Sequence, residues 1–194
     1  ADAEGPAQIL RVIAGRFKGR RLTAPQGVET RPTSDRARQA LFDMLMHAPW
    51  AEGRVTGAAV LDVFAGTGAL GLEALSRGAA SAAFIESGRP ALAALRANIA
   101  ACGAGELCRV VAGDALSPPG GAACGLIFLD PPYGQGLVPL ALAALAKAGW
   151  IGPGALIVAE VAAAEPPPTD MPLLAERRHG AARLCIWRSL VGVG

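Results

Sequence analysis

Two hydrophobic periods alternate along this chain, and their order predicts its architecture. Residues 59–64, 82–86, 107–112, 126–130 and 155–161 are short, mostly apolar runs of strand length. Between them lie segments with helical spacing, at 69–77 and 90–101. A further helix carries Leu137, Leu140, Ala141, Leu145 and Ala148 on one face and stops at Gly149. Earlier in the chain, Thr33 or Ser34 can cap a helix with the apolar face Ala37, Ala40, Leu41, Met44, Leu45 and Ala48. Arg36, Arg38 and Asp43 fall largely off that face. Strands alternating with helices imply a doubly wound, mostly parallel sheet. After Pro166, Pro167 and Pro168, two strand-like stretches at 173–178 and 182–190 would close it as an antiparallel hairpin, making seven strands. Residues 1–8 read as a loose tail. Residues 11–14 and 20–23 flank Gly15 and Gly19 and read as a small basic hairpin. The expected fold is thus α/β, a Rossmann-like sheet of residues 51–194 behind a hairpin-and-helix extension of residues 1–50.

Composition narrows the class. With 194 residues the chain suits one principal domain, and its 52% hydrophobic content owes much to alanine. Apolar stretches are interrupted before they reach membrane-spanning length, and no basic-then-apolar leader opens the sequence. The expectation is a soluble, cytoplasmic protein, monomeric because no heptad pattern or long exposed apolar helix stands out. Cys102, Cys108, Cys124 and Cys185 form no C-x-x-C pair, and there are only two histidines, His47 and His179. No metal site is expected. The net charge of +2 conceals an asymmetry. Between Ile9 and Arg38 lie Arg11, Arg16, Lys18, Arg20, Arg21, Arg31, Arg36 and Arg38, opposed there only by Glu29 and Asp35. Such clustering suits a polyanion held through its phosphates; a solvated basic edge would look the same.

The candidate chemistry begins at Asp130-Pro131-Pro132-Tyr133, directly after the run 126–129. Proline fixes its own φ and biases the preceding residue toward an extended shape. The tetrapeptide therefore reads as a rigid hook that aims a carboxylate and a carbonyl at one point beside an aromatic ring. An exocyclic base amine needs two acceptors and a stacking face. A strand followed by a proline turn would account for the same residues without any ligand.

Phe64-Ala65-Gly66-Thr67-Gly68 follows the first sheet strand and continues through Gly71 as G-x-G-x-x-G. Glu86, followed by Ser87, ends the next strand, where a carboxylate can accept ribose hydroxyls. A nicotinamide dinucleotide and S-adenosylmethionine both fit that pair. Asp114, followed by Ala115 after the third strand, favours the latter, since it can accept from an adenine amino group. A loop aspartate is also a common turn residue. Asp62 inside the first strand is a buried carboxylate in want of a partner, and the amino group of a methionine moiety would serve.

From Ile9 to Leu190 the chain resembles the RsmD family of 16S rRNA guanine-N2 methyltransferases. The resemblance rests on Arg11-Val12-Ile13-Ala14-Gly15 with Lys18-Gly19-Arg20, on Arg31-Pro32-Thr33-Ser34-Asp35-Arg36, on the run from Asp62 to Ala74, and on the Asp-Pro-Pro-Tyr, in that order. It implies a class I methyltransferase using S-adenosylmethionine, acting on the N2 amine of guanine 966 in small-subunit rRNA, assembled or assembling. It also implies no need of a metal. Rival readings are an adenine-N6 DNA or glutamine-N5 protein methyltransferase, an NAD-dependent oxidoreductase, which would leave Asp130 to Tyr133 idle, and a non-catalytic RNA-binding module.

Overall fold

A computed structural model describes residues 9–25, 34–166 and 169–191. Its strands are β1 (Ala59–Val63), β2 (Ser81–Glu86), β3 (Cys108–Ala112), β4 (Cys124–Leu129), β5 (Ile151–Ala162), β6 (Leu173–His179) and β7 (Ala182–Arg188). Its helices are α1 (Asp35–His47), α2 (Ala69–Ser76), α3 (Arg89–Ala101) and α4 (Leu137–Lys147). The strands form one sheet in the order β3-β2-β1-β4-β5-β7-β6. All neighbours run parallel except β7, which is antiparallel to both β5 and β6. The chain steps outward from β1 through β2 to β3, then returns to the other side of β1 as β4. That reversal opens a crevice at the carboxyl ends of β1 and β4, the place where doubly wound sheets bind ligands.

The sheet is buried on both faces, and its side chains divide by the period of two. Val60, Phe84, Leu126, Phe128, Leu156 and Val158 join one core, with α1, α2 and α3. Leu61, Val63, Ile85, Ile127, Leu129 and Ile157 join the other, with α4. Each predicted strand and helix is present, within a few residues at its ends. Ser34 rather than Thr33 caps α1, its Oγ accepting from Ala37 N–H at 3.2 Å.

Two helices present a face rotated from the predicted one. Helix α1 buries Arg38, Leu41, Phe42 and Leu45, while Ala40 is exposed. Arg38 is 1% exposed and does not belong to a solvated basic face. Its guanidinium donates to the Arg11 carbonyl and, at 3.1 Å, to Asp35. Helix α4 buries Val138, Ala141, Leu142 and Leu145, and leaves Leu140 56% exposed. Both helices are apolar or long-stemmed over most of their circumference, so spacing alone admits two neighbouring stripes. Packing selects one: Phe42 meets Phe128 of the sheet, ring centroids 5.7 Å apart.

The amino-terminal segment is sewn onto α2. Val12 N–H donates to Arg20 O, Gly19 N–H to Val12 O and Leu22 N–H to Leu10 O, giving the expected hairpin as a short antiparallel bridge. Leu10, Val12 and Leu22 enter the first core. The fully buried Glu73 of α2 accepts from Ile13 N–H at 2.8 Å, Ala14 N–H at 3.1 Å and Arg77 Nε at 2.8 Å. A carboxylate with three donors replaces its lost hydration; without it, two part-buried amides and Arg77 Nε lose their acceptor, and the buried Arg77 guanidinium keeps Gln39 and the more distant Asp43. Glu73→Ala should therefore cost about 3–5 kcal/mol, the usual penalty for orphaning a buried charge, in a denaturant unfolding curve. A loss below about 1 kcal/mol would show that the extension is held by apolar contact alone.

Asp62 of β1 is the other buried acid, 2% exposed, and its Oδ2 accepts from Gly71 N–H at 2.9 Å. Burial, reinforced by the charges of Asp130 and Glu86, pushes its carboxyl up to about 8, against the pull of the Gly71 bond. A raised carboxyl pKa means that the folded chain prefers the protonated form. The stability that this contributes is complete at low pH and is lost as pH rises through about 8. Asp62→Asn keeps an acceptor for Gly71 without the ionisation. Thermal melts should show the wild-type chain losing stability relative to Asp62→Asn as pH rises from about 4, where the unfolded carboxyl ionises, to about 8, where the folded one does; parallel curves over that window would assign the acid no such role.

Candidate active site at the sheet switch point

The crevice is built from the ends of four strands. At its centre, β1 runs into Phe64, a non-glycine residue with φ of 57°. A β-carbon-bearing residue takes that left-handed conformation at a cost and only where the surroundings enforce it. Ala65 N–H donates to Ile85 O at 3.1 Å, and Gly68 N–H to Ala65 O at 2.8 Å, closing a tight turn into α2. Gly66 and Gly68 have φ of 56° and 78°. A Cβ on Gly66 would meet nothing within 4 Å, whereas one on Gly71 would lie 2.4 Å from Phe84 Cε1. The loop thus presents bare backbone on its open side and packs tightly on its sheet side.

Glu86 stands beside it at the end of β2. Its Oε2 accepts from Gly66 N–H at 2.8 Å, and its Oε1 from Ser87 and Gly88 N–H at 2.9 and 2.8 Å. A carboxylate offers about four acceptor positions, so three amides leave one for a hydroxyl. Ala115 is buried, and Gly113 N–H bonds Glu86 O at 3.0 Å, which docks the loop after β3 onto the same edge. Asp114 is exposed there, and its Oδ1 accepts from Leu116 N–H at 2.9 Å. It is therefore a turn-forming aspartate whose Oδ2 takes no hydrogen bond among the described residues. Asp62 finds its partner within the chain, at Gly71, rather than requiring one from a ligand.

The hook follows β4. Asp130 N–H reaches Val63 O at 3.4 Å, which ties the hook to the start of the glycine loop. Pro131 is buried; Asp130, Pro132 and Tyr133 are exposed, Tyr133 by 52%. Although Asp130 faces the open crevice as a residue, its carboxyl is crowded enough to be pushed up to about 7, by desolvation first and by the Glu160 charge second. Tyr133 Oη donates to Glu160 Oε1. Gly134 N–H donates to Glu165 Oε1 at 2.7 Å, and the Glu165 carbonyl accepts from Arg183 at 2.7 Å. Glu160, Glu165 and Arg183 do not figure among the residues expected from sequence. Glu160 carries the signal that singles out Asp62: a lone acid in an apolar strand. The other two carry none.

The expected basic surface is split. Thr23 N–H and O both bond the Asn98 side chain, which also donates to Thr67 O at 2.9 Å. The open end of the hairpin therefore abuts the glycine loop. Its turn lies elsewhere: Arg16 N–H donates to Ser76 O at the last residue of α2, toward the amino ends of the strands. Eight residues of α2 at 1.5 Å each separate the two ends by about 12 Å. Arg11 pairs with Asp35 at 3.0 Å, and the Arg16 guanidinium lies over the Phe17 ring. Lys18, Arg20, Arg21 and Arg36 are exposed; Arg31 lies outside the described residues. An open groove of about 620 Å³, lined by Gly15, Arg16, Met46, His47 and Ser76, sits at the turn end and not at the crevice. It gathers no reactive groups. Among the described residues no cluster of His, Cys, Asp and Glu could hold a metal ion, and no helix is long and apolar enough to cross a membrane.

Comparison with known proteins agrees with this geometry. The model of a family described as "Conserved hypothetical protein 95" matches residues 10–188. The Ribosomal RNA small subunit methyltransferase D of Escherichia coli (strain K12) is 41% identical over 158 residues, 80% of this chain and 76% of that one. The protein of the same name from Haemophilus influenzae is 34% identical over 179 residues, 88% of this chain and 89% of that one. The solved structure of yhhF from Escherichia coli superposes with a TM-score of 0.79 at 36% identity, covering 93% of this chain and 97% of its own. A seven-stranded sheet with a single antiparallel strand, a glycine loop facing an Asp-Pro-Pro-Tyr hook, and these matches over most of the sequence together place the chain in the RsmD family of ribosomal RNA methyltransferases.

Proposed function

We propose that this chain transfers a methyl group from S-adenosylmethionine to the exocyclic N2 amine of a guanine in 16S rRNA, on an assembled or assembling small subunit. Family membership carries the coarser part, S-adenosylmethionine-dependent methylation of ribosomal RNA. The observation that carries the amine is the hook: an acid and a free carbonyl at Asp130 and Pro131, one hydrogen bond from the end of β1 and the glycine loop. With rRNA as substrate the cytoplasm is the compartment, and the monomer is the proposed working unit.

The residues present fit the cofactor. Phe64, Ala65, Gly66, Thr67 and Gly68 offer bare backbone with open space at Gly66. Glu86 retains one acceptor position for a ribose hydroxyl, and Ser87 follows it at the strand end. Asp114 Oδ2 can accept an adenine amine beside Ala115, and Asp62 holds the loop's base. When bound, the cofactor supplies an electrophilic methyl on a sulfonium: the sulfur–methyl bond breaks, the nitrogen–methyl bond forms, and S-adenosylhomocysteine leaves. Everything else falls to the chain. The guanine amine is a weak nucleophile because its lone pair is shared with the ring. Asp130 and the Pro131 carbonyl, by accepting its two hydrogens, would localise that pair toward the methyl. Pro132 stiffens the hook and Tyr133 offers a face for the base. The base must be unpaired or flipped to reach it. Asp130 then takes the proton that the methylated nitrogen sheds. Most of the acceleration is positioning and electrostatics. Residues 1–50 would form the RNA-contacting extension, through Arg11, Arg16, Lys18, Arg20, Arg21, Arg31 and Arg36.

The test is transfer of labelled methyl to small-subunit particles lacking the modification, with nucleoside analysis of the product. N2-methylguanosine at one site is expected; N6-methyladenosine, or label in protein, would overturn the reading. Asp130→Asn should lower kcat by about 100-fold or more, by analogy with loss of one preorganised polar contact, with cofactor affinity little changed. Because protonated Asp130 accepts the amine hydrogen more weakly and cannot take up the proton that is shed, kcat/KM should fall as pH drops below about 7. In Asp130→Asn that limb should vanish.

A further inference from the structure

Glu160 has no part in the transfer described above, yet it stands against the hook. It follows Ala159 of β5, which pairs in register with Leu129 of β4. Continuing the parallel register by one residue sets Glu160 beside Asp130, with strands about 4.8 Å apart. The Glu160 charge is felt at Asp130, and its Oε1 accepts the Tyr133 hydroxyl. Among the described residues its Oε2 takes no hydrogen bond. The acid interrupts a strand whose positions 155–159 and 161 are all buried, and it is itself half-buried. Its Oε2 is not sealed from solvent, so it stands open to a ligand entering the crevice.

Three RNA bases carry an exocyclic amine, and only one also has a ring N–H beside it. Guanine presents N1–H next to its N2 amine. Adenine and cytosine present a bare ring-nitrogen lone pair at the corresponding place. An ionised carboxylate is an acceptor only. It attracts the guanine edge and opposes the lone pair of the other two, so selection combines an attraction with a repulsion. Resting on the guanine-N2 reading above, we propose that Glu160 selects the base: its Oε2 accepts guanine N1–H while Asp130 and the Pro131 carbonyl hold the amine. The bond from Tyr133 to Oε1 fixes the stacking ring relative to the same edge. Glu160 thus touches the substrate at a position where no bond changes.

The discriminating substrate is 2-aminopurine, which keeps the amine but has a lone pair at N1. Small-subunit particles are reconstituted with either guanine or 2-aminopurine at the target position, and kcat/KM is measured for each with labelled cofactor. The wild-type chain should prefer guanine by about tenfold or more, the scale of a charge-assisted hydrogen bond. Glu160→Gln preserves the side chain's shape and can turn an amide N–H toward the lone pair, so the preference should shrink to within about threefold. Tyr133→Phe removes the hydroxyl contact and should slow both substrates while keeping the preference. The ratio between enzymes cancels any effect of the O6 that 2-aminopurine also lacks. If Glu160→Gln lowers both substrates by one factor, Glu160 only supports the hook and the proposal fails while the guanine-N2 reading stands. A wild-type chain indifferent to the two bases would have the same meaning. No transfer to guanine by the wild-type chain would remove both readings.

Discussion

The hydrogen bond from Gly71 to the buried carboxyl of Asp62 is the constraint on which the crevice depends. It spans from the middle of β1 to the first turn of α2 and closes the loop between them at its base. Everything that the loop does follows from that closure: the left-handed turn at Phe64, the glycines that leave backbone bare, and the short path from strand to helix. The bond also demands the glycine that makes it. A Cβ at position 71 would collide with Phe84 and press on Asp62 itself. The pattern G-x-G-x-x-G therefore has two physical meanings in this chain. Its first glycine keeps space open and its last lets helix and sheet close together.

The rest of the site is carried by acids that serve as acceptors for backbone. Glu86 gathers three amides from two loops, and Glu165 holds Gly134 at the end of the hook. These contacts join the ends of β1, β2, β4 and β5 into one rim. Such a rim is preorganised: the groups that would meet a base amine are fixed by strands and amides before any substrate arrives. It also concentrates negative charge, which adds to the burial that chiefly displaces Asp62 and Asp130 upward. A cationic sulfonium entering that field would be favoured by it.

The amino-terminal extension has a direction. Its open end bonds Asn98 and through it the glycine loop; its turn reaches the far end of α2. Glu73 and Ser76 clamp the backbone of residues 13–17 in between. The exposed cations accordingly form a stripe running away from the crevice rather than a collar around it. A long polyanion laid on such a stripe would reach the hook with one segment and the hairpin turn with another.

Much of this was legible in the sequence because period and punctuation are local properties. Five apolar runs, the glycine loop and the Asp-Pro-Pro-Tyr each declare themselves within ten residues, and their order dictates a switch point where the motifs converge. The hairpin, the closing strands and a cap at Thr33 or Ser34 are legible for the same reason. Which stripe of α1 and α4 faces inward was not: α4 is apolar around most of its surface, α1 mixes apolar residues with long-stemmed polar ones such as Arg38, and only contact with Phe128 or the sheet breaks the tie. The burial of Arg38, the turn made by Asp114, the partner of Asp62 and the tethering of the hook by Glu160 and Glu165 were also decided in three dimensions. Each depends on atoms brought together from residues far apart in the chain, and no local pattern encodes the distance between them.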